Sequence, residues 1–214
     1  MTSTDGAFLI LHGWENFRPE GHWQYELARD LRERGRRVAY PQLPDANTPS
    51  VDAWASAVEA ELRDLGAGGR TVTVICHSLA SLLWLGMRSG LGVEAPTETD
   101  AGADAYVVER VLLVAPPAPD VIAGIDAIAA FGALPLRPST PDDPPTLIVA
   151  GDVDPFCPGG AAGTFGEPLG IPVVVIPGGA HLNTAAGYGH WPSVTAWCLD
   201  PTSPIVARRI GSSA

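Results

Sequence analysis

Three residues of the chain, Ser78, Asp154 and His181, have the side chains that together perform nucleophilic catalysis. A serine hydroxyl becomes a useful nucleophile when a histidine accepts its proton and a carboxylate orients that histidine. Each of the three lies within five residues of the end of an apolar, β-branched run that predicts a buried strand. The spacing therefore predicts a Ser-His-Asp triad assembled from three strand ends.

The segment Thr71–Leu83 predicts the local structure that a nucleophilic serine requires. Its β-branched run is followed by Cys-His-Ser-Leu-Ala, and apolar residues at helical spacing continue to Arg88. The G-x-S-x-G nucleophile elbow of α/β-hydrolases places its serine in such a strand-to-helix turn, between small residues. Here Cys76 and Ala80 replace both glycines, and Ser78 could instead be an ordinary helix N-cap.

The acid and the base each have a simpler explanation when taken alone. Asp154 precedes Pro155 and could merely begin a turn, and His181 could be a surface histidine. Together with Ser78 they occur in the chain order Ser, Asp, His that α/β-hydrolases use, which favours the catalytic interpretation. Asp152 is an alternative acid, although the distance from the strand end favours Asp154.

Catalysis of acyl transfer also requires backbone N–H groups that stabilise an oxyanion, and two positions can supply them. Leu79 follows the nucleophile, and Trp14 follows the first strand after a glycine that allows close approach. Six residues near these loops are candidates for substrate contact: His12, Gly13, Phe17, His77, Phe156 and Leu182. For His77, next to the serine, and for His22 and His190, each before a tryptophan, packing or hydrogen bonding inside the protein is favoured over a ligand role.

Composition excludes several other kinds of site. All 13 basic residues are arginines, so the chain cannot form a Ser-Lys dyad, a pyridoxal Schiff base or a P-loop lysine site. Three scattered cysteines without C-x-x-C spacing argue against a zinc site and a disulfide framework. We expect no metal and no cofactor. The formal net charge of -11 disfavours nucleic acid and acidic membranes as partners.

Length and hydropathy indicate one domain, 1–214, in a protein of the cytoplasm. No uninterrupted apolar stretch approaches the ~18 residues of a membrane span. Only six residues precede the first predicted strand, so we expect no cleavable signal. The expected partner is a small acyl substrate.

Apolar runs that alternate with helical patterns predict an α/β fold with a doubly wound, mostly parallel sheet. The predicted strands are Ala7–Leu11, Arg37–Leu43, Thr71–Ile75, Val107–Ala115, Thr146–Ala150 and Ile171–Ile176. Helices are predicted at His22–Arg34, from Thr48 with Pro49 as the first helical residue, and at Leu79–Arg88. The acidic segment Gly90–Ala105 is predicted to be a loop insertion, either a mobile flap or disordered, and residues 200–214 a tail.

Several motifs resemble the small serine hydrolases named after a retinoblastoma-binding member, within the α/β-hydrolase superfamily. They are His12-Gly13-Trp14-Glu15-Asn16, Gly21-His22-Trp23-Gln24, His77-Ser78-Leu79, Val114-Ala115-Pro116-Pro117, Asp154-Pro155, Ala180-His181-Leu182-Asn183 and Gly187-Tyr188-Gly189-His190-Trp191-Pro192. The resemblance covers most of the chain. It implies a compact hydrolase fold without a large cap domain, a triad of Ser78, Asp154 and His181, and esterase-type activity. Cys76, Ala80 and the acidic segment are departures from the family pattern.

The sequence thus predicts a carboxylesterase-like serine hydrolase that cleaves a small ester, thioester or amide through an acyl-enzyme. Acyl transfer or cyclisation from the same acyl-enzyme is a second hypothesis, which a dry, enclosed pocket would favour. A non-catalytic binding module that keeps the fold is a third, and only the altered elbow supports it.

Overall fold

The computed structural model describes residues 6–88 and 106–208, and these form one six-stranded sheet with helices on both faces. The strands are β1 (Ala7–Leu11), β2 (Arg37–Ala39), β3 (Thr71–His77), β4 (Val107–Val114), β5 (Thr146–Gly151) and β6 (Val173–Ile176). Their order is β2-β1-β3-β4-β5-β6, and every neighbouring pair is parallel. The predicted doubly wound parallel sheet is confirmed.

Seven α-helices connect or cover the strands within the described ranges. They are α1 (Trp23–Glu33), α2 (Val51–Gly66), α3 (Leu79–Arg88), α4 (Pro119–Ala123), α5 (Ala129–Gly132), α6 (Glu167–Leu169) and α7 (Pro192–Leu199), with a π-helical turn at Ala162–Gly166 before α6. None of these elements forms a large cap domain over the sheet. No helix in residues 6–88 or 106–208 is long and apolar enough to cross a membrane.

Alternating side chains of the central strands build two cores, one on each face of the sheet. In β1, Leu9 and Leu11 pack on the face covered by α2 and α3, whereas Phe8 and Ile10 pack on the face covered by α1 and α7. All five β1 residues are buried, as expected for a parallel strand that is covered on both sides. Because all strands are parallel, their carboxyl ends meet at one edge of the sheet, where ligands bind in such folds.

The structure corrects two predicted boundaries, the end of β2 and the start of α2. β2 ends at Ala39, before Pro41, whose missing N–H cannot join a sheet ladder. The α2 helix begins at Val51, so the prediction of Pro49 as its first residue is wrong. The N-cap is Ser50, whose extended backbone lets its Oγ accept from the Ala53 N–H at 3.4 Å.

One further difference lies at the end of β3. β3 extends to His77, two residues beyond the predicted end, and therefore reaches the residue before Ser78. The predicted acidic insertion Gly90–Ala105 lies outside the described residues, and so do residues 209–214 of the predicted tail.

His12 joins the end of β1 to the segment after β2 and is fully buried. Its Nε2 accepts from the Leu43 N–H at 2.8 Å, and its Nδ1 donates to the Gly13 carbonyl at 2.8 Å. Both ring nitrogens are used inside the protein, so His12 does not make the substrate contact for which the sequence suggested it. Burial lowers the pKa of His12 to about 4.

We expect acid to destabilise the fold through His12. Its folded-state pKa lies below the ordinary value of 6.5, so between pH 6.5 and about 4 the unfolded chain binds a proton that the folded protein does not. The stabilising contribution is complete above pH 6.5 and is lost as the pH falls towards 4. At pH 5 the loss is on the order of 1–2 kcal/mol for this side chain.

Urea unfolding at pH 7.5 and pH 5 measures this loss in the wild type and in His12→Gln. The glutamine oxygen can still accept from Leu43 but cannot titrate, so the variant should lose less free energy of unfolding between the two pH values. An equal loss in both proteins would contradict the assignment.

Candidate active site

Ser78 occupies a strained turn between β3 and α3. Its φ of 54° lies in the left-handed region that non-glycine residues rarely adopt, and its N–H donates to the Val114 carbonyl at 2.9 Å. The helix starts at once, since the Ser81 N–H donates to the Ser78 carbonyl at 2.8 Å. The turn presents the partly exposed hydroxyl at the carboxyl edge of the sheet.

The residues that replace the two glycines of the elbow pattern fit the space beneath the turn. Cys76 and Ala80 are both fully buried, on the face of the sheet that α3 covers. Gly13, in contrast, could not be larger: a Cβ there would lie 2.7 Å from the Ser78 Cβ. The loop after β1 therefore runs directly against the serine.

His181 lies between Ser78 and Asp154 and is hydrogen bonded to both. Its Nδ1 is 2.8 Å from Asp154 Oδ2, and its Nε2 is 2.9 Å from Ser78 Oγ. A carboxylate only accepts, so Nδ1 carries the proton in this contact and Nε2 of the neutral ring accepts from the serine hydroxyl. Asp154 is 3% exposed, and its other oxygen accepts from the Phe156 N–H at 2.9 Å.

The loop that carries His181 is packed backbone to backbone on the end of β5. A Cβ on Gly151 would lie 2.2 Å from the Ala180 carbonyl oxygen, so only glycine allows this approach. Ala180 and Leu182, on either side of the histidine, both have left-handed φ values, 45° and 49°. Sequence reasoning missed Gly151, although a glycine that ends a buried strand is a signal of close backbone approach.

The structure separates the two candidate acids. Asp152 is exposed, and its Oδ1 accepts from the Gly178 N–H at 2.7 Å, which ties β5 to the loop after β6. Asp154 is the carboxylate in contact with His181.

A cavity of about 330 Å³ opens beside Ser78, between residues 13–19 and residues 181–185. Of the six candidate substrate contacts, Gly13, Phe17 and His77 line it, and the Phe17 ring stands 60% exposed at its rim. Leu182 is fully buried in the core, so it does not reach the cavity. Phe156 packs against the His181 ring with centroids 4.6 Å apart.

The two residues predicted to supply oxyanion-stabilising N–H groups flank the serine. Leu79 is the first residue of α3, where backbone N–H groups have no partner within the helix. Trp14 lines the cavity, and its indole Nε1 donates to the Asn47 carbonyl at 2.9 Å, which fixes the loop.

A second cavity, of about 340 Å³, lies away from this site, between the start of α7 and residues 206–208. Its described lining residues include no hydrogen-bonded series like that of Ser78, His181 and Asp154. The cavity beside Ser78 is therefore the candidate active site.

Comparison with known proteins identifies the fold and the family of the chain. No curated protein matches the chain by sequence. The product of the ydeN gene of B. subtilis has a similar structure, with a TM-score of 0.64 and 16% identity over 90% of this chain and 96% of that one. A putative YdeN-like hydrolase of Pectobacterium atrosepticum has a TM-score of 0.64 and 21% identity over 91% and 89%.

An esterase domain of a Rhodothermus marinus protein is also similar, with a TM-score of 0.57 and 14% identity over 92% of this chain and 88% of that one. At these identities the likeness shows the fold. The sequence model of the family described as "Serine hydrolase" matches residues 8–199, from the second residue of β1 to the end of α7. The chain therefore belongs to the serine hydrolase family, the α/β-hydrolases named for the retinoblastoma-binding protein.

Proposed function

We propose that the protein hydrolyses a small ester or thioester, or an activated amide, through an acyl-enzyme on Ser78. The observation that carries this proposal is the continuous hydrogen-bonded series from Ser78 Oγ through His181 to Asp154, at 2.9 and 2.8 Å. Its tautomer is the productive one, with the basic Nε2 towards the hydroxyl.

In the proposed reaction, His181 Nε2 takes the hydroxyl proton while Ser78 Oγ attacks the substrate carbonyl carbon. The tetrahedral intermediate collapses when the histidine returns the proton to the leaving group. Water then attacks the acyl carbon of the acyl-enzyme while His181 takes its proton. The bond from the acyl carbon to Ser78 Oγ breaks, His181 returns the proton to Oγ, and the acid product leaves. Asp154 holds the ring and stabilises its transient positive charge.

The backbone N–H groups of Trp14 and Leu79 are the proposed oxyanion donors. Close contact between Gly13 and Ser78 brings the Trp14 segment beside the serine. Donors fixed in this way strengthen their hydrogen bonds as charge develops on the carbonyl oxygen, which is how such a site lowers the barrier.

The cavity favours a short acyl group or a small uncharged substrate. Its volume of about 330 Å³ is near the lower end for ligand pockets, roughly 300–1,000 Å³. Trp14, Phe17 and Pro19 supply apolar surface to the cavity. Glu15 adds one carboxylate to its lining, which would repel an anionic substrate.

Hydrolysis is favoured over the other two hypotheses. Ser78 is partly exposed in a cavity with an exposed rim, so water can reach an acyl-enzyme, whereas acyl transfer or cyclisation calls for a dry site. The altered elbow, which supported a binding module, accommodates Cys76 and Ala80 without displacing the serine from His181.

A fluorophosphonate probe should label the wild-type protein on Ser78, because the probe reacts with serines that a histidine activates. The adduct is located by mass spectrometry, and p-nitrophenyl acetate hydrolysis is measured in parallel. Ser78→Ala should abolish both, while Ser81→Ala, on a serine buried behind the turn, is the matched control. Labelling that survives Ser78→Ala would refute the proposal.

Asp154→Asn and Asp152→Asn form a matched pair that tests the acid. We expect Asp154→Asn to lower kcat for p-nitrophenyl acetate by at least about 10²-fold, since the histidine loses the partner that fixes its tautomer. Asp152→Asn should stay within about tenfold of the wild type, because its carboxylate accepts from the Gly178 N–H and not from His181.

Each variant must first show the unfolding midpoint of the wild type, because each aspartate also accepts a backbone N–H and could be structural. If Asp152→Asn proves to be the inactive one, the assignment of the acid is wrong.

A further inference from the structure

His77, the residue before the nucleophile, points away from α3 and towards the loop of His181. Side chains alternate along a strand, so His77 shares a face with Ile75, which packs on the side of α1 and α7. Its ring lies 5.2 Å from the His181 ring and 5.7 Å from that of Trp23 in α1, centroid to centroid. The side chain of His77 therefore packs beside His181, the histidine to which Ser78 is hydrogen bonded.

One hydrogen bond connects His77 to the backbone of the base. His77 Nε2 is 3.1 Å from the His181 carbonyl oxygen, and since a carbonyl only accepts, Nε2 must carry a proton and donate it. The two residues are 104 positions apart in the chain. The bond spans from the end of β3 to the loop after β6, across the edge of the sheet.

This loop is one whose conformation has to be held by its surroundings. Left-handed φ values at Ala180 and Leu182 are strained for non-glycine residues and persist only where packing determines them. The contact of Ala180 with Gly151 fixes the backbone before the histidine. The His77 bond fixes the carbonyl of the histidine itself.

We propose that His77 is a positioning residue: its Nε2–H holds the His181 backbone so that the imidazole spans Ser78 and Asp154. The inference rests on the proposed function for its effect on rate, but the geometric part stands without it. The strand that presents the nucleophile thereby also sets the position of the base, and one rigid element aligns both reacting groups. A displacement of about 1 Å between such groups can lower the rate on the order of 10²-fold.

The surroundings of His77 suit a neutral, immobile donor. Its ring is 3% exposed and packs edge-on against His22, with centroids 5.3 Å apart, and against Trp23. Burial holds the pKa of His77 well below its ordinary value and lowers that of His22 to about 4. Neither ring therefore places a positive charge beside His181 at the moment when His181 itself becomes charged.

The test compares His77→Gln with His77→Asn. The glutamine amide nitrogen takes the place of Nε2 and keeps the donor, whereas the asparagine nitrogen takes the place of Nδ1 and cannot reach the His181 carbonyl. We expect His77→Gln to keep kcat for p-nitrophenyl acetate within about fivefold of the wild type, and His77→Asn to lower it by about 10–100-fold with KM little changed. The fluorophosphonate labelling rate of Ser78 should follow kcat.

A second readout does not depend on turnover. The proton between His181 Nδ1 and Asp154 gives a low-field imidazole signal in the proton NMR spectrum, identified by its loss in Asp154→Asn. The signal should persist in His77→Gln and broaden or vanish in His77→Asn. Both variants place an amide in the same buried site. Their unfolding midpoints are compared, so that a difference in kcat is not mistaken for a difference in stability.

Equal kcat and equal NMR signals in His77→Gln and His77→Asn would overturn the proposal, whether both resemble the wild type or both are impaired. A wild-type protein that no fluorophosphonate labels would refute the proposed function alone, because the NMR comparison still reports the position of His181.

Discussion

The buried hydrogen bond between His181 and Asp154 is the interaction on which the arrangement of the site depends. A carboxylate that is 3% exposed has given up most of its hydration, and the contacts with His181 and the Phe156 N–H replace it. The bond also selects the ring tautomer, since only a protonated Nδ1 can donate to the carboxylate. The unprotonated nitrogen, Nε2, is then the one that faces Ser78 Oγ.

The bond can form only because two backbones approach closely at the end of the sheet. Gly151 removes the side chain that would separate β5 from Ala180, and Gly13 does the same between the first loop and Ser78. A glycine in a buried strand normally weakens packing. Gly151 in β5 therefore lowers stability, but it allows the strand to lie against Ala180. One close contact therefore lies at the nucleophile and the other beside the loop of the histidine.

Much of the fold could be predicted from the sequence because its strands are short apolar runs and its helices are amphipathic. β1 and α3 have the predicted bounds, while α2 was misplaced because Pro49 and Ser50 offer competing start signals and only the cap geometry decides between them. The residues proposed for catalysis could be named because strand ends carry them. The contact of His77 with His181 could not, since it joins segments far apart in the chain through a backbone atom, which leaves no residue pattern.

The three cysteines of the chain are free and buried. Cys76 beneath the elbow, Cys157 after the Asp154 turn and Cys198 in α7 are all unpaired and buried, and burial raises the pKa of each thiol. In the native protein these thiols are protonated and shielded from alkylating reagents. Each belongs to a different part of the molecule, so the order in which they become alkylated under mild denaturation reports whether the turn at Ser78, the turn after Asp154 or α7 opens first. The protein therefore contains three native probes of its own local unfolding.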